Sequence, residues 1–394
     1  MAWPGITPTL SVVETPVAAG LQTRRMGSIQ GTIGVFYETW SSASMRYQAY
    51  QVNADSTVTF GPVSAIVSEV KSNTAGQLHW VADRVFLALQ QEASTTFFAQ
   101  ATLCRVEDDL SITILGKSQA WLTSPAYWTY LPDMALALVV ATDGIGNFTY
   151  RTASVTATGI SAFSAKQSIS FAEQGASWKP DPLGPTTALL TRAVYNGGLP
   201  EENWVWDVQA GTLTKATGDL TEYVRQFADV HRPSQMVAHH LWEESRLIRH
   251  DGGGALTRVG TFPTPAPPAD LTSLGGFPTF CSTNIEMFWS PGGTVPVIAD
   301  LNLDDGVNWP TPAIVIWLDV FGTPTVLGVG VPVDAAVISV NQSAVTEDGR
   351  FVTYQDLYDE TWATKLGTVM AVWTGTAAAE PVSALVTSRR AFIG

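Results

Sequence analysis

A short, mostly apolar stretch that reads as the start of a strand recurs seven times along the chain. Val35-Phe36-Tyr37, Val85-Phe86-Leu87, Ala135-Leu136-Ala137, Thr187-Ala188-Leu189, Val237-Ala238-His239, Ile285-Glu286-Met287 and Phe351-Val352-Thr353 begin 50, 50, 52, 50, 48 and 66 residues apart. A unit of about 50 residues holding several strands cannot cover both faces of its own sheet, so it has to stack on its neighbours. That spacing suits the blade of a propeller. The clearest unit runs from Trp80 to Gln119. Its apolar strand Val85–Leu89 is followed by a polar turn at Gln91–Ser94, a second strand at Thr96–Val106, an acidic turn at Glu107-Asp108-Asp109 and a third strand at Leu110–Gly116. Three β-rich runs joined by short polar turns read as an antiparallel meander. Asp83, Asp133 and Asp348 each stand just before such a strand, where an Asp side chain turns the chain by bonding its own backbone.

The expected fold is therefore all-β: a single seven-bladed β-propeller at 29–394 behind an N-terminal arm at 1–28. Its blades start near residues 29, 79, 128, 180, 231, 279 and 340. The arm contains one strand-like run, Thr9–Val13. The chain stops soon after its last expected strand, Val382–Ser388, so either that strand or the arm must close the ring. The 66-residue interval implies an insertion in blade six, placed at the hairpin around Gly322-Thr323-Pro324. Leu220–Val230 reads as one or two helical turns. The proline-rich run Phe262–Phe280 reads as an extended surface segment.

Composition narrows the function classes. Charged residues make up only 14% of the 394, and Gly, Ala, Ser, Thr and Val fill the difference. The net charge of −14 argues against a basic groove for nucleic acid. Met1–Gly5 has neither a basic start nor an apolar core, so no signal peptide is expected. No apolar run reaches membrane-spanning length, so no membrane insertion is expected. Cys104 and Cys281 fall in different blades and read as free, small hydrophobes. There is no phosphate loop, nucleophile elbow or dinucleotide fingerprint.

Four groups of residues could carry chemistry. Asp300, Asn302 and Asp304 alternate and lead into Gly306, approximating a loop whose oxygens converge on calcium, the one candidate cofactor. Ordinary turn chemistry accounts for the same pattern more simply. His231, His239, His240 and His250 lie in blade five. With a hairpin centred on Glu244-Ser245, His239 faces His250, and with Glu243 the pair could hold zinc. Cross-strand hydrogen bonding is the simpler account. Trp204 and Trp206 share one strand face behind Glu201-Glu202, an arrangement that suits sugars, although alternating Trp more commonly packs between sheets. Asp108-Asp109 and Glu243-Glu244 read as solvated turn charges.

Asn302-Leu303-Asp304-Asp305-Gly306-Val307-Asn308-Trp309 resembles the Asp-box of sialidase-like propellers, matching at Asp304, Gly306 and Trp309. In that family the box is a structural turn remote from the active site, so the resemblance implies a fold and leaves the chemistry open. Thr346 to Tyr354 is similar to the hairpin of TolB-type propeller repeats, again a signal of fold. A surface-type composition without a secretion signal points to a bacteriophage virion protein, made in the host cytoplasm. The expected role is a structural part of the tail, a fibre or an accessory protein, within a larger assembly. Its expected partners are other virion proteins and a host surface glycan. The alternatives are a glycan hydrolase or lyase on the same propeller, and a soluble interaction scaffold. The balance leans away from an enzyme.

Overall fold

The computed structural model describes residues 10–17, 24–27, 29–38, 46–65, 77–92, 97–122, 126–142, 148–169, 177–193, 203–218, 226–229, 235–239, 244–263, 286–287, 295–303, 311–319, 325–330, 337–348, 350–358 and 364–375. The protein is all-β. Its described strands form seven consecutive sheets, and the 3-10 turn Pro132–Met134 is the one helical element among the described residues.

The N-terminal strand β1 (Leu10–Pro16) precedes the first sheet. That sheet contains β2 (Arg24–Met26), β3 (Ile33–Glu38), β4 (Tyr47–Val52) and β5 (Val58–Val63). The second sheet contains β6 (Gln77–Ala82), β7 (Val85–Glu92), β8 (Phe97–Val106) and β9 (Ile112–Leu122). In the third, β10 (Ala126–Leu131), β11 (Leu136–Thr142) and β12 (Phe148–Thr156) are flanked by β13 (Gly159–Ile160) and β14 (Gln167–Ile169), both paired to β12. The fourth contains β15 (Ser177–Pro182), β16 (Thr187–Ala193), β17 (Asn203–Asp207) and β18 (Thr212–Lys215). A two-residue strand, β19 (Thr217–Gly218), then joins the fifth sheet by a parallel pairing. The fifth otherwise contains β20 (Gln226–Asp229), β21 (Gln235–His239), β22 (Glu244–Gly252) and β23 (Ala255–Pro263). The sixth contains β24 (Glu286–Met287), β25 (Val295–Leu303), β26 (Thr311–Asp319) and β27 (Thr325–Gly330). The seventh contains β28 (Val337–Val345), β29 (Phe351–Tyr358) and β30 (Lys365–Gly375), and its fourth strand is β1 from the other end of the chain. Leu10 pairs with Gly375 and Pro16 with Val369.

Each sheet packs on the next, because side chains alternate between the two faces of a strand. In β7, Val85, Leu87 and Leu89 join a core with Trp128, Tyr130 and Val139 of the third sheet. Phe86 and Ala88 point the other way, into a core with Val35 and Tyr47 of the first. A strand buried on both faces has to be apolar throughout, which is why Val85–Leu89 is the most legible strand in the sequence. Further cores join the third sheet to the fourth, the fourth to the fifth and the seventh to the first. On the remaining side β27 lies beside β1 and β30. First strands of successive sheets approach one another, β2 with β28 and β10 with both β6 and β15. The sheets converge on that edge, which is a propeller-like arrangement. Glycine permits the closest approaches between sheets. A Cβ on Gly61 would sit 2.3 Å from the Leu110 carbonyl oxygen of the next sheet.

The structure corrects several sequence expectations. The stretches taken as first strands mostly belong to second strands, and the unit has four strands where three were expected. The preceding strands escaped notice because they are short, and one contains Pro180 and Pro182. Proline is tolerated there because β15 pairs on one side only. Second strands start at Ile33, Val85, Leu136, Thr187, Gln235, Val295 and Phe351, giving intervals of 52, 51, 51, 48, 60 and 56. The 66-residue interval came from aligning β24, a first strand, with second strands elsewhere. Part of the expected helical segment Leu220–Val230 is strand β20, whose Phe227 pairs with Ala238. Gly322–Pro324, the expected strand Val382–Ser388, and all but Phe262 and Pro263 of the proline-rich run lie outside the described residues.

Candidate functional site

The residues singled out in the sequence are not brought together. Asp300 and Asn302 are ladder residues of β25, opposite Ile314 and Pro312. An extended strand spaces them about 7 Å apart along one face, whereas a calcium loop curls its oxygens toward one point. Asp304, Gly306 and Trp309 lie outside the described residues, and so does the greater part of the Asp-box segment.

His239 pairs with Ser245, and His250 pairs with Leu256. The expected His239–His250 pairing therefore fails, because the hairpin turns at residues 240–243, ahead of Glu244-Ser245. The His250 ring nitrogen Nε2 bonds the Gly253 carbonyl at 2.9 Å, within the glycine turn that the sequence marks. His231, His240 and Glu243 lie outside the described residues. Among the described residues no group of three or more His, Cys, Asp or Glu side chains is placed to hold a metal.

Trp206 is completely buried, packed edge-on against Phe148 and Tyr150 of the third sheet. Trp204, half-buried, flanks the same core, with Lys215 Nζ 6.0 Å from its ring centroid. This Trp face is used for packing between sheets and offers no open platform to a sugar. Cys104 is a buried free thiol, pushed up to about 12 by burial. Cys281 lies outside the described residues.

What the fold does assemble is a rim of tight turns along one side of the sheets. These turns join first to second strands and third to fourth strands. Two contacts on this rim link neighbouring sheets. In one, Gln30 Nε2 donates to the Ala82 carbonyl at 3.2 Å, and the Arg84 amide donates to Gln30 Oε1 at 2.8 Å. Ala82 and Arg84 flank the two-residue turn into β7, where Arg84 takes a left-handed φ of 55°. Arg84 also pairs with Asp108 of the turn beside it at 2.7 Å.

In the other contact, the Glu347 amide donates to the Gly31 carbonyl at 2.9 Å, and Arg350 Nη1 donates to the Asn53 carbonyl. Arg350 reaches Asp348 through Nε at 3.0 Å and Nη2 at 2.7 Å. The completely buried Thr346 closes the turn from inside, its hydroxyl donating to Asp348 and accepting from the Arg350 amide at 3.0 Å. Burial opposes the charge on Asp348, but hydrogen bonds from Arg350 and Thr346 outweigh it and hold the carboxyl below the usual range. This is the turn at Thr346–Arg350 that the sequence marks as the lead into a strand.

The other carboxylates shifted on this rim move in the same direction. Asp55, Glu107, Asp109 and Asp251 are lowered chiefly by hydrogen bonds from Thr57, Arg105, Ser111 and Thr257. Glycoside hydrolysis requires one carboxylic acid whose pKa is raised. These groups are tuned the opposite way, as structural anions. Asp108 and Asp109 behave as the sequence predicts, Asp108 as a fully exposed ion-pair partner and Asp109 as the acceptor of a turn amide.

Sequence reasoning missed a polar row on the opposite side of the second sheet. Gln90 pairs with Gln100, and Gln100 pairs with Gln119. Gln119 donates to Gln100 at 3.1 Å, Gln100 donates to Thr102 at 2.9 Å, and Gln90 donates to the Tyr47 hydroxyl of the first sheet. In the seventh sheet, Gln355 and Trp373 both donate to the Thr353 hydroxyl. Only the placement of Gln within strand runs signals these groups in sequence, and it does not say that they meet.

No protein-family model and no curated protein matches the chain. Among solved structures it is similar to a candidate 6-phosphogluconolactonase from Bacteroides fragilis, at a TM-score of 0.47 and 10% identity over 84% of this chain and 92% of that one. It is also similar to the Swd1 β-propeller domain of Myceliophteria thermophila, at a TM-score of 0.47 and 8% identity over 90% and 99% of the two chains. Similarity at this level says nothing about chemistry.

Proposed function

We propose that the chain forms one closed seven-bladed ring and serves as a structural component of a phage particle, in a tail, fibre or accessory position. The observation that carries the ring is the seventh sheet, whose fourth strand comes from the opposite end of the chain. A sheet completed in this way ties the two ends together, as closure of a repeat array requires. The rim contacts support a structural role, since Gln30 and Arg350 each fasten one sheet to the next. The virion assignment rests on composition: few charged residues and a Gly, Ala, Ser, Thr and Val bias. In this reading the ring is a rigid frame whose loops meet other virion proteins or a host surface glycan.

Two experiments test it. Imaging purified protein at low resolution should show a ring with seven-fold pseudo-symmetry, and open or paired lobes would end the ring reading. Mass spectrometry of purified particles should find the protein at stoichiometric level. Its absence from particles, together with turnover on a glycan panel, would favour the hydrolase or lyase alternative.

A further inference from the structure

Strand β1 is held differently from the strand it covers. In β30, Val369 to Trp373 are buried to 6% exposure or less. In β1 only Leu10 is buried, Ser11 and Pro16 are exposed, and the residues between are half-buried. The attachment is therefore mainly main-chain pairing, over seven residue pairs from Leu10–Gly375 to Pro16–Val369. Val17 extends it by donating to the Thr368 carbonyl at 2.9 Å. Two side-chain contacts fix the register. The Ser11 and Thr374 hydroxyls lie 2.6 Å apart, and the Val58 amide of the first sheet donates to Thr15 Oγ1 at 3.0 Å. Little apolar surface is lost if β1 leaves, yet its departure exposes the full ladder edge of β30. An open strand edge is a template for another strand.

We propose that β1 is an exchangeable strap, and that the β30 edge accepts the same Leu10–Pro16 segment from a second copy of this chain. The inference rests on the ring closure proposed above. The bonds made within one chain and between two chains are identical, so the balance depends on effective concentration. Residues 17–23 tether β1 to β2 and span at most roughly 25 Å. A short tether gives an effective concentration in the millimolar range. Closure within one chain therefore dominates in dilute solution. Exchange between chains dominates where copies are crowded at about millimolar density, as in an assembly.

The test uses full-length protein carrying Cys281→Ser. A chain with both Ser11→Cys and Thr374→Cys should form an internal disulfide, and failure to do so overturns the closure itself. A chain with Ser11→Cys alone is then mixed with one carrying Thr374→Cys alone. After oxidation at millimolar concentration the mixture should give a covalent heterodimer, identified by peptide mapping. Its yield should be about tenfold above that of a control mixture with Asp108→Cys in place of Thr374→Cys, and should fall on dilution. An internal disulfide in the double variant, with heterodimer no more abundant than in the exposed Asp108→Cys control, overturns exchange and leaves closure standing.

Discussion

The first sheet touches the seventh on one side and the second on the other, and the two contacts solve the same problem with different chemistry. Both have an aromatic core. Phe36 packs against Tyr354 of the seventh sheet at 5.2 Å, and Phe86 of the second packs against Tyr47 at 5.6 Å. Both also have a polar fastening on the rim of turns. Toward the second sheet it is a neutral amide, Gln30, bridging two backbone groups. Toward the seventh it is the Asp348–Arg350 ion pair, with Arg350 reaching across to Asn53. Packing supplies most of the adhesion on both sides, while the fastening sets how the two sheets are positioned. The neutral version should be indifferent to pH and salt, and the ionic version should not.

The largest effects should come from the cores and be alike on the two sides. Phe36→Ala and Phe86→Ala each remove a ring with at most 1% exposure and should each cost about 3–5 kcal/mol in chemical denaturation. A cost below about 1 kcal/mol for either would mean that those sheets do not pack as described. Arg350→Met should come next, at about 2 kcal/mol, because it removes charge-assisted bonds and leaves a half-exposed Asp348 without its guanidinium. If Asp348→Asn proves equally costly and the double variant no worse than either single one, the pair acts as a unit.

Acid sharpens the contrast. Asp348 is lowered in the folded state, so its contribution is complete above the ordinary Asp range and lost as pH falls through the folded-state value. Acid titration of stability should therefore be shallower in Asp348→Asn than in the parent chain below about pH 4. His79 adds a separate sensitivity between the second and third sheets. It lies half-buried beside Tyr130, and burial lowers it to about 4. Its neutral form is favoured by folding, so stability should decline as pH falls from the ordinary His value of about 6.5 toward 4. His79→Gln should flatten that part of the curve, and an unchanged curve would refute the assignment. The smallest effect should be that of Gln30→Ala, about 1 kcal/mol and the same at low and high salt. A clear salt dependence there would undo the distinction between the two fastenings.

How much was legible in the sequence differs by element. Val85–Leu89 was legible because a strand covered on both faces must be apolar at every position. The turns at Asp83-Arg84 and Thr346–Arg350 were legible because an Asp ahead of a strand is a local signal. Ser177–Pro182 was not, since its prolines forbid an interior strand and nothing local says that it lies at an edge. The proposed His239–His250 pair failed because a hairpin's centre sets which residues face each other, and a small shift in the turn changes every pairing. The sugar reading of Trp204 and Trp206 met the packing that alternating aromatics usually serve.

Periodicity and apolar patterning determined by themselves that this chain is a repeating all-β array, because those signals are local and every unit must hide its faces. Only the tertiary structure decided that Leu10–Pro16 completes the last sheet, that Gln30 and Arg350 fasten neighbouring sheets, and that buried glutamines meet across strands. Those contacts join residues distant in sequence, up to the 363 positions between Ser11 and Thr374. Nothing in the local chain around either partner records such a meeting.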